Sequence, residues 1–313
     1  MKLKSLMLQF AICLGLTVGS SFALVDYSDN SLPPNIIRSP KRAVQNKSKK
    51  RIAKAKAPSS RRNIMRGKIS VKPYFDSSSV DTPERQGKIS KIGVAASMKL
   101  LKGVSLQADY WQGSSADSSL TDDDSMQAGN PLLKLGFNWF RIGDAHNLLS
   151  VDLYGGLSLG MEKSSFASSR TDQIVGLQTS KKMNDFLVMF EGTYQITGNP
   201  KNESEMDVGN IRTLSAGIGL YVTNDIRFSL IASVYDITES SNLERANFLN
   251  ESVSFATISP KLYLQLRPGM NLELGGVFRT KREKSSQDLT EAKLFNISGV
   301  YGTGINAGLS ISL

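Results

Sequence analysis

The stretch Phe295-Asn296-Ile297-Ser298-Gly299-Val300-Tyr301-Gly302-Thr303-Gly304-Ile305-Asn306-Ala307-Gly308-Leu309-Ser310-Ile311-Ser312-Leu313 is the clearest statement of fold in the chain. Phe295, Ile297, Gly299, Tyr301, Thr303, Ile305, Ala307, Leu309, Ile311 and Leu313 share one parity, and small or polar residues mostly fill the other. A helix would not keep apolar residues two apart for this long. A strand with one oily face and one wet face does. The run predicts a long final strand over 295–313.

Working back from it, the same alternation recurs. Its stripes are Ile92 to Met98, Val104 to Tyr110, Leu133 to Trp139, Leu149 to Leu159, Phe186 to Ile196, Leu214 to Val222, Ile226 to Val234, Ile258 to Leu266 and Leu272 to Phe278. A weaker first strand (Ile69, Val71, Phe75) and a weak sixth (Val175, Leu177) bring the expected number to about twelve. The connections alternate in length. Short turns fall at Leu101–Gly103, Gly143–Asn147, Lys181–Asp185, Thr223–Asp225 and Arg267–Gly269. Long polar loops fall at Asp76–Gly87, Ser114–Asn130, Glu162–Thr171, Gly198–Gly209, Glu239–Glu251 and Glu283–Glu291. Such asymmetry marks membrane barrels, which have short periplasmic turns and long external loops.

What precedes Gly67 has another character. Lys2 and Lys4, an apolar run from Leu6 to Val18, and Ser21 and Ala23 flanking Phe22 form a secretory signal, with cleavage expected after Ala23. The apolar core is short for a spanning helix. Cys13, the sole cysteine, lies inside this signal, and Ile12 before it does not suit a lipoprotein site. The mature chain would then hold no disulfide and no thiolate chemistry.

Residues 24–66 carry twelve Lys or Arg against Asp26 and Asp29, a balance of +10, and the two signal lysines add +2. The whole chain is +10, so residues 67–313 stand near −2. The basic character belongs to one segment, which removes the main support for nucleic-acid binding. That segment, with Pro33, Pro34, Pro40 and Pro58 and few large apolar residues, is expected to be disordered. The expected organisation is therefore a signal peptide over 1–23, a disordered basic periplasmic segment over 24–66 and a barrel over 67–313. The basic segment suggests contact with anionic lipid or the cell wall, or a return into the lumen against its acids; a plain spacer serves as well.

Strand count, loop asymmetry, signal and final strand together resemble the bacterial outer-membrane β-barrel family, porins included. The resemblance covers Gly67 to Leu313 and implies an all-β fold: a transmembrane antiparallel barrel in the bacterial outer membrane. It also implies outer-membrane lipid and the barrel-insertion machinery as partners, with homo-oligomers as one form. That family commonly ends in an aromatic residue; this chain ends in Leu313. Aromatic residues near strand ends would form the two interfacial girdles, with Phe75, Tyr110, Tyr194, Phe255, Phe278 and Phe295 on the external rim and Trp139, Phe186 and Phe228 on the periplasmic rim. The competing reading is a soluble β-sandwich or a lipocalin-like barrel.

Parity also places charges in the lumen. Lys68, Lys72, Lys91, Lys99, Lys134, Arg227, Lys261, Arg267, Arg279 and Lys281 would face inward, with Asp109, Asp152, Glu191 and Glu273. An excess of cations there favours anions, because low-dielectric walls focus the field. The same charges could equally pair and plug the lumen, since twelve strands fall between a filled barrel and an open one.

No catalytic residue, cofactor or metal site is expected. A serine hydrolase needs a histidine beside its nucleophile, and the sole His146 sits in a short turn. Asp122, Asp123 and Asp124 lack the spacing of a calcium loop. The glycines of Tyr301 to Gly308 have no following Lys-Ser/Thr pair and read as strand glycines rather than a phosphate loop. The leading expectation is passive diffusion of small solutes, anions among them; the rival is a non-transporting barrel that organises lipid or partners.

Overall fold

The computed structural model describes residues 69–82, 85–115, 125–144, 146–242, 244–281 and 287–313. Alternating sequence becomes alternating burial. The strands are β1 (Ile69–Asp81), β2 (Gln86–Leu101), β3 (Val104–Ser115), the two-residue β4 (Gln127–Ala128), β5 (Leu132–Gly143), β6 (Asn147–Ser158), β7 (Asp172–Met183), β8 (Phe186–Ile196), β9 (Ile211–Tyr221), β10 (Ile226–Ile237), β11 (Val253–Arg267), β12 (Met270–Lys281) and β13 (Gly304–Ser312). A 3₁₀ turn, Leu289–Ala292, precedes β13. Every long strand pairs antiparallel with its neighbours, and β1 meets β13 from Ser70↔Ser312 to Ser78↔Gly304, which closes the sheet. The result is a twelve-stranded antiparallel barrel with the short β4 lying against β3.

Five tight turns join β2–β3, β5–β6, β7–β8, β9–β10 and β11–β12 at one end. In Arg267-Pro268-Gly269-Met270, Pro268 fixes one central dihedral and Gly269 supplies the other at φ 80°. At the β5–β6 turn, the Asp144 carboxylate accepts from the backbone N–H of Asn147 and of His146, both at 2.9 Å, and these bonds hold its pKa below the usual carboxylate range.

The outer face is a band of exposed large apolar residues, among them Ile92, Val94, Leu133, Leu135, Phe137, Val175, Ile218 and Ile305. A contiguous apolar surface of this extent is not tolerated by a protein in water. It suits lipid, which also requires the closed ladder seen here. Trp139, Phe186 and Phe228 are exposed toward the turn end, and Phe75, Tyr110 and Phe278 toward the other.

Two prolines interrupt the ladder. The β1–β13 register passes from Val71↔Ile311 to Tyr74↔Gly308, with Pro73 in the gap. The β11–β12 register passes from Ile258↔Phe278 to Lys261↔Gly275, with Pro260 in the gap. Each proline lacks the N–H its partner strand would accept.

Three expectations fail here. The polar stretch 76–87 is not a long loop: β1 runs to Asp81, β2 starts at Gln86, and Ser77 and Ser79 pair with Ser90 and Lys88. The serine run carries no outward apolar stripe, so alternation could not reveal it, yet its backbone continues the ladder. The final strand starts at Gly304, not Phe295. Gly299 adopts φ 82°, which breaks any strand there, and Phe295, Ile297 and Tyr301 turn into the protein. Consequently Phe295 is not a girdle residue. Nor is Phe255, which lies on the inward parity of β11 and stacks on Tyr235 at 4.5 Å.

These buried residues belong to a hydrophobic core at the loop end of the barrel. Val80, Ile89, Trp111, Ile211, Tyr235, Val253 and Phe255 come from inner strand faces; Phe166, Met206, Val208, Leu249, Leu289, Leu294, Phe295, Val300 and Tyr301 come from the loops. Phe166 is 0% exposed and meets Phe295 edge-on at 5.4 Å. The loops thus form a packed cap.

Phe166→Ala is expected to cost about 3–5 kcal/mol of cap stability, read as faster cleavage of the loops by added protease, with the unheated gel mobility of the barrel unchanged. Leu135→Arg, on the outer band, is expected to cost about 2–4 kcal/mol, measured by denaturant unfolding from lipid bilayers.

Candidate functional site

The space inside the barrel, with the cap above it, is the candidate site. Its chemistry follows from which inward residues the register places side by side.

Lys72 of β1 and Lys261 of β11 both contact the Glu273 carboxylate of β12; the Lys261 bond is 3.1 Å. All three side chains are at most 20% exposed. A carboxylate between two ammonium groups is attractive to both and separates like charges that would otherwise face each other.

Asp109 accepts from the Tyr74 hydroxyl at 3.0 Å. Glu191 accepts from the Tyr154 hydroxyl at 2.5 Å, and the same hydroxyl is 2.6 Å from Thr193 Oγ1. Asp152 accepts from Asn138 Nδ2 at 2.6 Å and Ser150 Oγ at 2.8 Å. These carboxylates are met by neutral donors.

The remaining cations meet rings and carbonyls. Lys134 Nζ lies 5.0 Å from the Tyr154 ring centroid. Arg227 lies 4.0 Å from the Tyr263 centroid and 5.7 Å from that of Tyr221. Lys91 Nζ is 5.1 Å from the Trp111 centroid and donates to the Phe295 carbonyl at 2.9 Å. Arg279 donates to the carbonyls of Gly299, at 2.9 Å, and Val300, and lies 5.7 Å from the Phe255 centroid. Lys134 also lies in the field of Glu191 and Asp109, and Lys91 in that of Asp76 and Asp109.

Lys99 and Arg267 are exposed at the turn end. Lys281 closes β12, and Lys68 and Asp122 to Asp124 lie outside the described residues. Parity reasoning missed Asp76 and Lys182. It also missed the tyrosines, for which a signal existed. Tyr74 stands opposite Gly93, and Tyr154 opposite Gly176. A Cβ on Gly93 would come within 2.4 Å of the Tyr74 ring, and one on Gly176 within 2.2 Å of the Tyr154 ring. An inward tyrosine opposite an inward glycine lies flat across the wall.

The cap is tied from within. Arg170, 2% exposed, lies 3.2 Å from Asp172 and 3.5 Å from Glu205, and donates to the Ala292 carbonyl at 2.9 Å. Glu205 also accepts from the backbone N–H and hydroxyl of Ser169 at 2.8 and 2.9 Å. Three loops meet at this one guanidinium. Among the described residues, no group of three or more His, Cys, Asp or Glu side chains is placed to hold a metal ion.

Among solved structures the chain is similar to an outer membrane channel from Pseudomonas putida F1, at 10% identity over 79% of this chain and 95% of that one, with a TM-score of 0.56. The fold is that of an outer-membrane β-barrel. The NanC porin aligns over 78% of this chain and 100% of its own at 10% identity and a TM-score of 0.44. The outer membrane phospholipase A from Escherichia coli aligns over 78% and 89%, at 13% identity and a TM-score of 0.39. No protein-family model matches the chain, and no curated protein matches it in sequence.

Glu273→Gln leaves Lys72 and Lys261 without their shared carboxylate, and a loss of about 3–5 kcal/mol is expected. Denaturant unfolding would measure it, and adding Lys72→Met and Lys261→Met to the same chain should restore most of the loss.

Proposed function

We propose that this chain is an outer-membrane, porin-like barrel that passes small solutes with a bias toward anions, and that its external mouth is closed in the conformation described. The observation that carries the reading is the partnering inside the lumen. Lys91, Lys134, Arg227 and Arg279 lie against rings and carbonyl oxygens. Asp109, Asp152 and Glu191 accept from neutral hydroxyl and amide donors. Lys72, Lys91, Lys134, Arg227, Lys261 and Arg279 outnumber Asp109, Asp152, Glu191 and Glu273, and a low-dielectric barrel focuses that small excess along the axis. The bias is weaker than ten inward cations would have given, because Lys72 and Lys261 share Glu273, and Lys99 and Arg267 sit at the rim.

Lipid would be the solvent of the outer band. The basic segment 24–66, on the periplasmic side in this reading, would lie against anionic headgroups or the cell wall. The barrel-insertion machinery would be a partner of the last strand, β13.

A second reading is favoured by the cap. Its dry core of Phe166, Leu249, Phe255, Leu289 and Phe295 is what a barrel that transports nothing would keep. In that case the protein organises lipid or partners. Planar-bilayer recording separates the two. The porin reading expects ohmic steps, with a reversal potential in a KCl gradient displaced toward chloride. A silent bilayer containing barrel of verified heat-sensitive gel mobility would favour the structural barrel.

A further inference from the structure

We propose that residues 287–303 are a displaceable plug, seated by apolar packing in the cap and latched to the wall by lumen cations that hold its backbone carbonyls, and that anions entering the lumen compete for those cations. The inference rests on the reading of the lumen as a solute path and adds the element that opens it.

The segment is a small folded body of its own. Asp288 caps the 3₁₀ turn Leu289–Ala292 by accepting from the Thr290 N–H at 3.0 Å. The Tyr301 hydroxyl then ties the ends together: it accepts from the Leu294 N–H at 2.6 Å and donates to the Leu289 carbonyl at 3.0 Å. These bonds are internal to the segment and would survive its leaving the wall.

The bonds that hold it in place are of another kind. Inside the lumen, Lys91 donates to the Phe295 carbonyl, and Arg279 to those of Gly299 and Val300. Nearby, Trp111 Nε1 donates to Asn296 Oδ1 at 3.0 Å, and Asn296 Nδ2 to Ser158 Oγ at 3.1 Å. In the cap, Arg170 holds the Ala292 carbonyl, and Arg85 lies 2.8 Å from Asp288. Below Asp81, whose N–H reaches the Tyr301 carbonyl at 2.8 Å, the regular ladder of β13 starts only at Gly304.

Carbonyl oxygens are neutral acceptors. An anion accepts the same N–H groups while adding a full opposite charge, so the cation is drawn to it by direct Coulomb attraction that a carbonyl lacks. Lys91 and Arg279 can therefore exchange plug carbonyls for a passing anion. The groups that would select the solute are the groups that hold the mouth closed.

The test compares three full-length proteins in planar bilayers under KCl: the natural chain, a chain in which residues 288–302 are replaced by a short Gly/Ser linker, and the point variant Arg279→Gln. Unheated gel mobility verifies the barrel of each. The proposal expects brief or rare openings from the natural chain, a several-fold higher mean conductance from the linker chain, and an intermediate rise from Arg279→Gln. Equal conductance from the natural and linker chains would overturn the plug while leaving the pore intact. Silence from both, with barrels verified, would overturn the pore itself. If the linker chain fails to form a barrel, Arg279→Gln decides: an unchanged open fraction overturns the proposal.

Discussion

Lipid accepts no hydrogen bond, and that single fact shapes the rest of the molecule. A sheet in such a solvent must spend every N–H and C=O on its neighbours, so β1 must find β13. Closure then divides each strand into a face for lipid and a face for the lumen. The outward residues become interchangeable in chemistry, large and apolar. The inward residues are left to make contacts that no longer depend on the bilayer. All that is particular to this protein lies on that inner face and in the loops above it.

On the inner face, charge is arranged in layers. Near the middle, Glu273 joins Lys72 and Lys261, and hydroxyl groups of Tyr74 and Tyr154 hold Asp109 and Glu191. Toward the loop end, charge gives way to Trp111, Tyr235 and Phe255, which meet the apolar side chains of the cap. The two regions are joined by Lys91 and Arg279, whose cationic heads lie over the Trp111 and Phe255 rings and hold backbone carbonyls. A charged lumen and an apolar cap thus meet at two side chains that suit both.

The barrel was legible in the sequence wherever one face met lipid, because lipid punishes any break in the apolar stripe. Leu133, Leu135, Phe137 and Trp139 announced β5 without ambiguity. Above the membrane that penalty vanishes. Ser77 to Ser79 form strand without a stripe, and Phe295 to Tyr301 carry a stripe without a strand. In the second case alternation recorded burial against a cap, which parity cannot tell from burial in lipid. The inward position of Lys72, Lys91, Lys134, Arg227, Lys261 and Arg279 followed from parity alone; their partners did not, since Glu273 reaches Lys72 across 201 residues of sequence and Lys91 reaches Phe295 across 204. The tyrosine–glycine pairs lay between these cases, readable once register is known.

Pro73 has a meaning before the barrel exists. Until β1 and β13 meet, both are open edges, and an edge offering a full row of N–H and C=O groups is a template for another chain. Pro73 removes one donor in the middle of the β1 edge that faces β13. A foreign strand docking there would have to bridge the gap with nothing but its own backbone. The native partner is covalently attached and has matched residues on both sides of the gap, Ser70 and Val71 below and Tyr74 to Ser78 above. The interruption weakens intermolecular pairing more than intramolecular closure, and so guards the chain during the interval when it is exposed.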